Sequence, residues 1–188
     1  IYDLTEGWIM ALEMLRQGLG REGKLDKIKN KPMKSLEHLF HYLAQEILSK
    51  QDDRVRDFFI KTALLRIMTP ESCDFIRDRG DSKEIIRYLV ENGLFTFELD
   101  YGQYRYHHLF HDFLKEKAKE ELSNIDVLHK EIAEYFFERD DLEEAIYHYL
   151  EGGDYYTAGR ILSKKAPKLI QTGRFITFNE WFNLLPER

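Results

Sequence analysis

The stretch that decides the fold runs over residues 69–106, TPESCDFIRDRGDSKEIIRYLVENGLFTFELDYGQYRY. It opens with clear helix-start chemistry, because Thr69 caps the free amide groups and Pro70 takes the first helical position, where its missing N–H costs nothing. Gly80 is expected to lie beyond the end of this helix. The stretch therefore begins with one short helix whose two ends are both marked.

The middle of the stretch predicts a second helix, which starts at Asp81 or Ser82, either of which serves as an N-cap. Gly93 then provides the left-handed residue that ends a helix. The inward face of this helix is predicted to consist of Ile85, Ile86, Leu89 and Val90.

The end of the stretch predicts a β-hairpin, because the apolar period changes to two after Gly93. Residues 94–99 alternate in β-favouring side chains, residues 100–102 (DYG) turn, and residues 104–106 return. A further helix just before the stretch has an inner side formed by Val55, Phe58, Phe59, Ala63 and Leu64. Three helices followed by a hairpin predict a winged helix.

Outside this stretch the chain is predicted to be helical. Residues 1–50 form a helical domain, with one helix over residues 8–19 and another over 35–50, joined by a polar loop. Residues 51–122 form the winged-helix domain, whose last helix starts at His107. The buried stripe of that last helix is predicted to be Leu109, Phe110, Phe113, Leu114 and Ala118.

The last third of the chain, residues 123–188, matches itself at a shift of 33 residues, which is the length of tetratricopeptide-like helical hairpins. The shift places Ala133 over Ala166 and Tyr149 over Phe182. The predicted fold class is therefore mostly α. It comprises a helical segment, a winged-helix domain with a small β-hairpin, and tetratricopeptide-like antiparallel helical hairpins, an array expected to continue past residue 188.

Composition indicates a globular protein of a reducing compartment. An apolar content of 43%, with 14% aromatic residues, is enough to bury a core, and the single Cys73 excludes a disulfide framework. No apolar run approaches the roughly 20 residues that span a bilayer. We therefore expect a cytoplasmic protein. Because the sequence opens without methionine and stops just after a periodic segment, we expect it to be a piece of a longer chain.

The glycine-rich segment at residues 18–24 (GLGREGK) matches the dinucleotide pattern GxGxxG and the first part of the phosphate-binding pattern GxxxxGK. Both patterns need a strand before the glycines and a helix after them, so that helix amides meet phosphate. Here the glycines follow a helix and enter a polar loop, and Leu25 stands where a Mg²⁺-binding hydroxyl is required. We interpret the segment as a helix stop.

Three histidines begin the predicted helix that follows the hairpin. No glutamate or thiolate accompanies His107 and His111 in a metal-binding pattern, so no metal ligands are assigned. His108 and His111 are expected to be solvated or packed beside Asp112. His107 lies at a strand-to-helix junction, where an imidazole and free helix amides suit an anion, and a structural role is an equal alternative. No catalytic residues follow from the spacing, so no enzymatic activity is predicted.

A direct DNA-binding function assigns Lys83 and Arg87, on the third helix of the winged-helix domain, to the major groove. The charge balance opposes this alternative. The net charge is −6, and residues 53–120 carry 12 basic and 13 acidic side chains, with Glu84 and Glu91 on the same helix. No phosphate-seeking face is predicted.

Several segments resemble one family of proteins. The segments TEGWI at 5–9, LVENGLF at 89–95, YRYHHLF at 104–110 and DLEEAI at 141–146 are similar to the large ATP-dependent, MalT-like (LuxR-type) bacterial transcription regulators. These are signal-transduction ATPases related to the NB-ARC class. The resemblance implies a domain order of nucleotide-binding domain, helical domain, winged helix, helical-repeat sensor and DNA-binding domain, of which this chain is the middle.

The resemblance also implies candidate nucleotide-binding residues. Trp8 and Ile9 occupy the place of the Gly-Leu-Pro-Leu-Ala segment that lines the adenine pocket of NB-ARC relatives, with Ile9 in place of proline. His107 stands at the histidine of the Met-His-Asp motif, which senses the β-phosphate of ADP, and His108 replaces the aspartate. ADP or ATP is therefore expected in the full-length protein only, since the Walker motifs fall outside this chain.

These observations leave three hypotheses. The first is a regulatory fragment of an ATP-dependent transcriptional activator that couples nucleotide state and inducer binding to activation. Its implied partners are the flanking domains of the parent chain and a small-molecule or protein inducer, with no membrane partner. The second is a helical-repeat interaction adaptor with a structural winged helix. The third is the direct DNA-binding winged helix that uses Lys83 and Arg87.

Overall fold

The structure is a computed structural model that describes residues 36–173, 175–183 and 185. The predicted helix over residues 8–19, the glycine-rich segment, and the candidate residues Trp8 and Ile9 lie outside the described residues. The chain divides into two compact units, Ile1–Lys117 and Ala118–Arg188. The finer division into three domains stays a prediction. No helix among the described residues has the length and apolar character needed to cross a membrane.

The first unit contains a three-helix group followed by a hairpin, which confirms the predicted winged helix. Its helices and strands, in chain order, are α1 (Leu36–Ser49), α2 (Asp53–Thr62), α3 (Pro70–Arg77), α4 (Ser82–Glu91), β1 (Thr96–Glu98), β2 (Tyr104–Tyr106) and the start of α5 (His108–Glu121). Helices α2, α3 and α4 pack on one another, and α4 also packs on β1.

Local chemistry sets the helix starts in this unit. The carboxylate of Asp52 accepts a hydrogen bond from the Val55 amide, 2.8 Å away, and so begins α2. Thr69 caps α3 as predicted, and it forms a reciprocal capping box with Ser72. Asp81 takes the N-cap position of α4, but its side chain makes no capping hydrogen bond. The Asp81 carboxylate accepts hydrogen bonds from the side chains of Arg54 and Arg77 instead. The Ser82 amide donates to the side chain of Asp74.

The hairpin has the predicted turn, but β1 is shorter than the predicted residues 94–99, because Phe95 has a positive φ of 51°. Thr96 pairs with Tyr106 and Glu98 with Tyr104 in an antiparallel register. Tyr101 and Gly102 in the turn both have positive φ, at 61° and 72°. Met68 forms an isolated bridge with Tyr104, so the hairpin is anchored to the segment just before α3.

The core of the first unit is rich in aromatic side chains. Phe110 on α5 lies edge-on to Phe59 of α2, with ring centroids 5.2 Å apart, and 4.6 Å from the ring of Phe95. The five side chains predicted for the inner side of α2 are buried. Val90 and Leu109 are only half-buried, contrary to prediction, because each lies at the edge of its helix's apolar face.

The second unit is a series of consecutive helices, and their ends recur at a fixed spacing in the chain. They are the remainder of α5, then α6 (Ile125–Glu138), α7 (Leu142–Glu151), α8 (Tyr155–Gln171) and α9 (Phe175–Asn183). Helices α6 and α8 end 33 residues apart, and so do the left-handed residues Asp140 and Gly173 that follow them. The backbone thus repeats at the predicted period. The core is Ala133, Ala145, Ile146, Tyr149, Leu150, Ala158, Ile161, Leu162 and Trp181.

Side-chain equivalence across this repeat is incomplete. Tyr149 is 7% exposed, whereas Phe182, which the 33-residue shift places over it, is 56% exposed. The difference arises because α7 packs on both α6 and α8, so that Tyr149 is covered from two sides. The assignment to tetratricopeptide-like repeats stays a prediction.

Candidate functional site at the strand-to-helix junction

His107 lies between the last residue of β2 and the first residue of α5. Its amide donates to the carbonyl oxygen of Phe95, 2.8 Å away, and its own carbonyl accepts from the His111 amide at 2.8 Å. The backbone of His107 therefore belongs both to the end of the hairpin and to the first turn of α5. A movement of the hairpin relative to α5 would therefore change the backbone conformation or the hydrogen bonds of His107.

The imidazole of His107 is enclosed, with 1% of the residue exposed. It stacks on the exposed ring of His108, with centroids 4.4 Å apart and an interplanar angle of 28°, and lies 6.1 Å from the ring of Phe97. A phosphate group reaches this ring only if neighbouring side chains move. The expected site for an anion is thus, in this arrangement, a closed site.

His111, one turn further along α5, is bound to the end of α2. Its Nε2 lies 2.8 Å from the carbonyl oxygen of Ala63, the C-cap residue of α2. Because a carbonyl oxygen only accepts, Nε2 must carry the hydrogen. Burial lowers the pKa of His111 below its usual value of 6.5, and Lys115 lowers it further, against the hydrogen bond to Ala63. His111 is therefore packed and hydrogen-bonded, in a place that the sequence did not indicate.

Tyr106, on the other side of His107, is also bound to the end of α2. Its hydroxyl lies 2.6 Å from Thr62 Oγ1, which in turn donates to the carbonyl of Phe58. Since Thr62 has a single hydroxyl hydrogen, Tyr106 is the donor of the pair. Burial raises the pKa of Tyr106 well above its usual value, so the phenol stays protonated and the hydrogen bond is retained at all ordinary pH values.

The described residues contain no group of three or more His, Cys, Asp or Glu side chains arranged to hold a metal ion. His107 and His111, although spaced one turn apart, do not converge on a common point, because Nε2 of His111 faces the Ala63 carbonyl. Cys73 is buried, and burial raises the pKa of its thiol far above the usual range. That thiol is therefore protonated and unreactive.

Lys83 and Arg87, the residues of the DNA-binding alternative, lie in a groove of about 680 Å³ between α4 and the hairpin. The groove is also lined by Glu84, Glu91 and Glu98. Carboxylates thus alternate with the two cations along the surface that would approach DNA. The amino end of α4 carries further negative charge, because Asp74 accepts its first amide. These carboxylates repel a phosphate backbone.

Two buried polar features were missed from the sequence. Arg77 is buried among α2, α3 and α4, and its guanidinium lies 2.6 Å from Asp81. In the second unit, His129 of α6 and His148 of α7 are both buried, with their Nδ1 atoms 2.9 Å apart. Helical spacing could have indicated that both side chains face inward. Arg77 lies four residues after the buried Cys73, and His129 lies three residues before the buried Ile132.

Comparison with known proteins agrees with this geometry. Residues 44–125, which include α2 to α5 and the hairpin, match the model of the MalT winged helix domain. The chain is 26% identical over 189 aligned residues to the HTH-type transcriptional regulator MalT of Yersinia pestis (strain Pestoides F), an alignment that covers 98% of the chain. It is 28% identical over 157 aligned residues, 81% of the chain, to MalT of Klebsiella pneumoniae (strain 342).

The alignments cover 21% of the Yersinia protein and 17% of the Klebsiella protein, so this chain corresponds to a small part of each relative. The family model matches the winged helix built from α2, α3, α4 and the hairpin. The sequence resemblance extends to residues on both sides of this winged helix. The chain is therefore a MalT-like fragment, in that it is similar to a part of the MalT regulators and its residues 44–125 match the MalT winged helix domain.

Proposed function

We propose that this chain is a regulatory segment of a bacterial transcription regulator, in which the winged helix responds to ADP or ATP bound with the help of other domains. The observation that carries the proposal is the junction at His107. In this proposal the ring of His107, which joins hairpin to helix and is enclosed here, turns toward a ligand in a second state. The similarity to MalT proteins supports the transcriptional role.

The nucleotide site of the proposal combines His107 with Trp8 and Ile9, the residues that the family resemblance assigns to the adenine pocket. The role of this chain is to bind and to change state, and no catalytic step is assigned to it. A nucleotide shifts the equilibrium between two arrangements only by the difference between its affinities for them. His107 contributes that difference if it contacts phosphate in one arrangement and packs beneath His108 in the other.

The helical pairs of the second unit are the proposed receiver of the inducer. Tyr156 is 74% exposed at the start of α8, and Tyr155 beside it is also exposed. Exposed tyrosines offer both an aromatic face and a hydroxyl group to a small molecule or to a protein partner. An inducer that binds one arrangement of the regulator more tightly than the other drives it in that direction.

Calorimetric titration of the full-length regulator with ADP tests the proposal. The matched variants are His107→Ala and His108→Ala, which remove adjacent imidazoles, one enclosed and one exposed. We expect at least a tenfold loss of ADP affinity for His107→Ala with the fold intact by circular dichroism, and a smaller change for His108→Ala. Unchanged ADP affinity in His107→Ala would make that histidine structural and favour the interaction-adaptor function.

The DNA-binding alternative is tested on this chain directly. Because carboxylates line the groove around Lys83 and Arg87, we expect no binding to duplex DNA even at low salt. Binding that weakens as salt rises, and that is lost in Lys83→Ala and Arg87→Ala, would establish the alternative instead.

A further inference from the structure

We infer that His111 is a positioning residue, which together with Tyr106 holds the segment around His107 on the carboxyl end of α2. The junction segment is defined here as residues 106–111. The inference deepens the proposed function: if His107 responds to nucleotide, the two hydrogen bonds of the junction segment pass that response to α2. The bonds themselves are independent of any nucleotide.

The two hydrogen bonds lie on either side of His107 in the chain. Tyr106, one residue before it, donates to Thr62 at 2.6 Å, and His111, four residues after it, donates to the Ala63 carbonyl at 2.8 Å. Their acceptors are consecutive residues at the end of one helix. The junction segment is therefore fastened at two points to α2, and His107 lies between those points.

The acceptor of the His111 bond is a backbone carbonyl at the end of α2, and it suits this attachment. The last carbonyl groups of a helix have no partner inside the helix, and their partial negative charge favours a donor or a cation. His111 supplies that donor to the Ala63 carbonyl, and the ring of Tyr106 packs 5.9 Å from the ring of His111. If the junction segment moves away from α2, Thr62 and Ala63 both lose their hydrogen-bond donors. We therefore expect the two hydrogen bonds to break together.

The chemistry required of residue 111 is a hydrogen-bond donor at the end of a side chain of about this length. Glutamine provides an N–H donor, whereas leucine fills similar space and provides none. His111→Gln is therefore expected to preserve the attachment and His111→Leu to break it. Glu116→Leu, at an exposed position further along the same helix and away from His107, is the control.

The first measurement is made on this chain by nuclear magnetic resonance. In the wild-type chain the ring of His111 is expected as the tautomer with hydrogen on Nε2. In His111→Leu the amide of His107, which is bonded to Phe95, is expected to exchange with solvent roughly tenfold faster, while His111→Gln and Glu116→Leu stay within about threefold of wild type. The opposite tautomer, or unchanged exchange in a folded His111→Leu, would overturn the inference.

A further variant keeps the test decisive. If His111→Leu does not fold, Tyr106→Phe removes the other attachment with the loss of a single oxygen atom, and the same increase in exchange at His107 is expected. If exchange at His107 in Tyr106→Phe equals wild type, the inference fails.

The second measurement is the ADP affinity of the full-length regulator carrying the same substitutions. His111→Leu is expected to change ADP affinity by threefold or more and His111→Gln to restore it, a rescue that loss of packing alone does not produce. Unchanged ADP affinity in His107→Ala would refute the proposed function. The exchange experiment would still show whether His111 and Tyr106 hold the junction segment on α2. Changed affinity in His107→Ala together with wild-type affinity in His111→Leu would leave nucleotide sensing intact and refute the transmission to α2.

Discussion

The guanidinium of Arg77 lies 2.6 Å from a carboxylate oxygen of Asp81, although the Arg77 side chain is completely buried and that of Asp81 is 26% exposed. Arg54 reaches the other carboxylate oxygen from the solvent side, also at 2.6 Å. Asp57 and the ring of Phe58, both on α2, lie against the same guanidinium. One buried cation thus connects the three helices of the winged helix.

Arg77→Met is expected to destabilise the first unit by about 1–3 kcal/mol, because the substitution keeps the aliphatic stem and removes a buried, hydrogen-bonded charge. Asp81 keeps its bond to Arg54, which limits the loss. Urea unfolding followed by circular dichroism measures the change. The control is Arg79→Met at an exposed position, and equal effects of the two substitutions would contradict the structural role of Arg77.

The first unit is expected to lose stability as the pH falls from 7.5 to 5.5, through the contribution of His111. Burial and Lys115 lower the pKa of His111 in the folded protein below its usual value of 6.5. Between those two pKa values the unfolded chain binds more protons than the folded one, so stability falls as the pH falls through this window. The contribution is fully present above 6.5.

Unfolding measured across that pH range in wild type and in His111→Gln isolates this effect, because glutamine does not titrate. The pH dependence of the wild type should be the steeper of the two. Identical slopes would show that the folded and unfolded chains have the same pKa at His111.

The sequence predicted the first unit well because its signals are local. The cap at Thr69, the left-handed Gly93 and the change of period before Thr96 each depend on neighbouring residues only. Contacts between elements were not predictable in the same way. Periodicity shows that Arg77 faces inward, but its acceptor on α4 becomes adjacent only when the helices pack.

The candidate site was predicted only in part, for the same reason. The sequence placed His107 at the strand-to-helix junction, which the structure confirms. Its enclosure, and the attachment of its neighbours to Thr62 and Ala63, involve residues more than 40 positions away in the chain. Such pairs leave no periodic signal, because hydrogen bonding at a helix end requires a donor in space and not at a fixed spacing.

Gly152→Ala is expected to destabilise the second unit by about 1–3 kcal/mol. A methyl group at this position would lie 3.0 Å from the backbone oxygen of Asp126 and 3.0 Å from Cγ of Lys130, and the backbone oxygen belongs to α6 and cannot rotate away. Thermal unfolding measures the loss, and no loss would show that α6 and α7 separate readily.

Gly159→Ala is the matched control for that substitution. Gly159 lies inside α8, and the nearest atoms to an added methyl group are the Leu185 methyl carbons at an ordinary 3.7 Å. Because alanine is the better helix former, this variant is expected to gain about 0.5–1 kcal/mol. The two glycine-to-alanine substitutions should therefore change stability in opposite directions.

Tyr101→Gly is expected to stabilise the hairpin by about 0.5–1 kcal/mol, because the tyrosine has a φ of 61° and is fully exposed. Gly102→Ala, one residue later at a φ of 72° with no atom near the added methyl group, is expected to cost a similar amount. Amide exchange in β1 and β2 distinguishes the two. A loss of stability in Tyr101→Gly would show that the exposed ring makes a stabilising contact.

The order of helices in the second unit has a kinetic consequence. Helix α6 packs on α7, α7 on α8 and α8 on α9, so these contacts join partners that are neighbours in the chain. The loops that must close are short, and little entropy is lost before the first contacts form. We expect this unit to acquire its helical pairing within about microseconds to milliseconds. During synthesis each pair is then complete soon after its second helix appears, before the following residues are made.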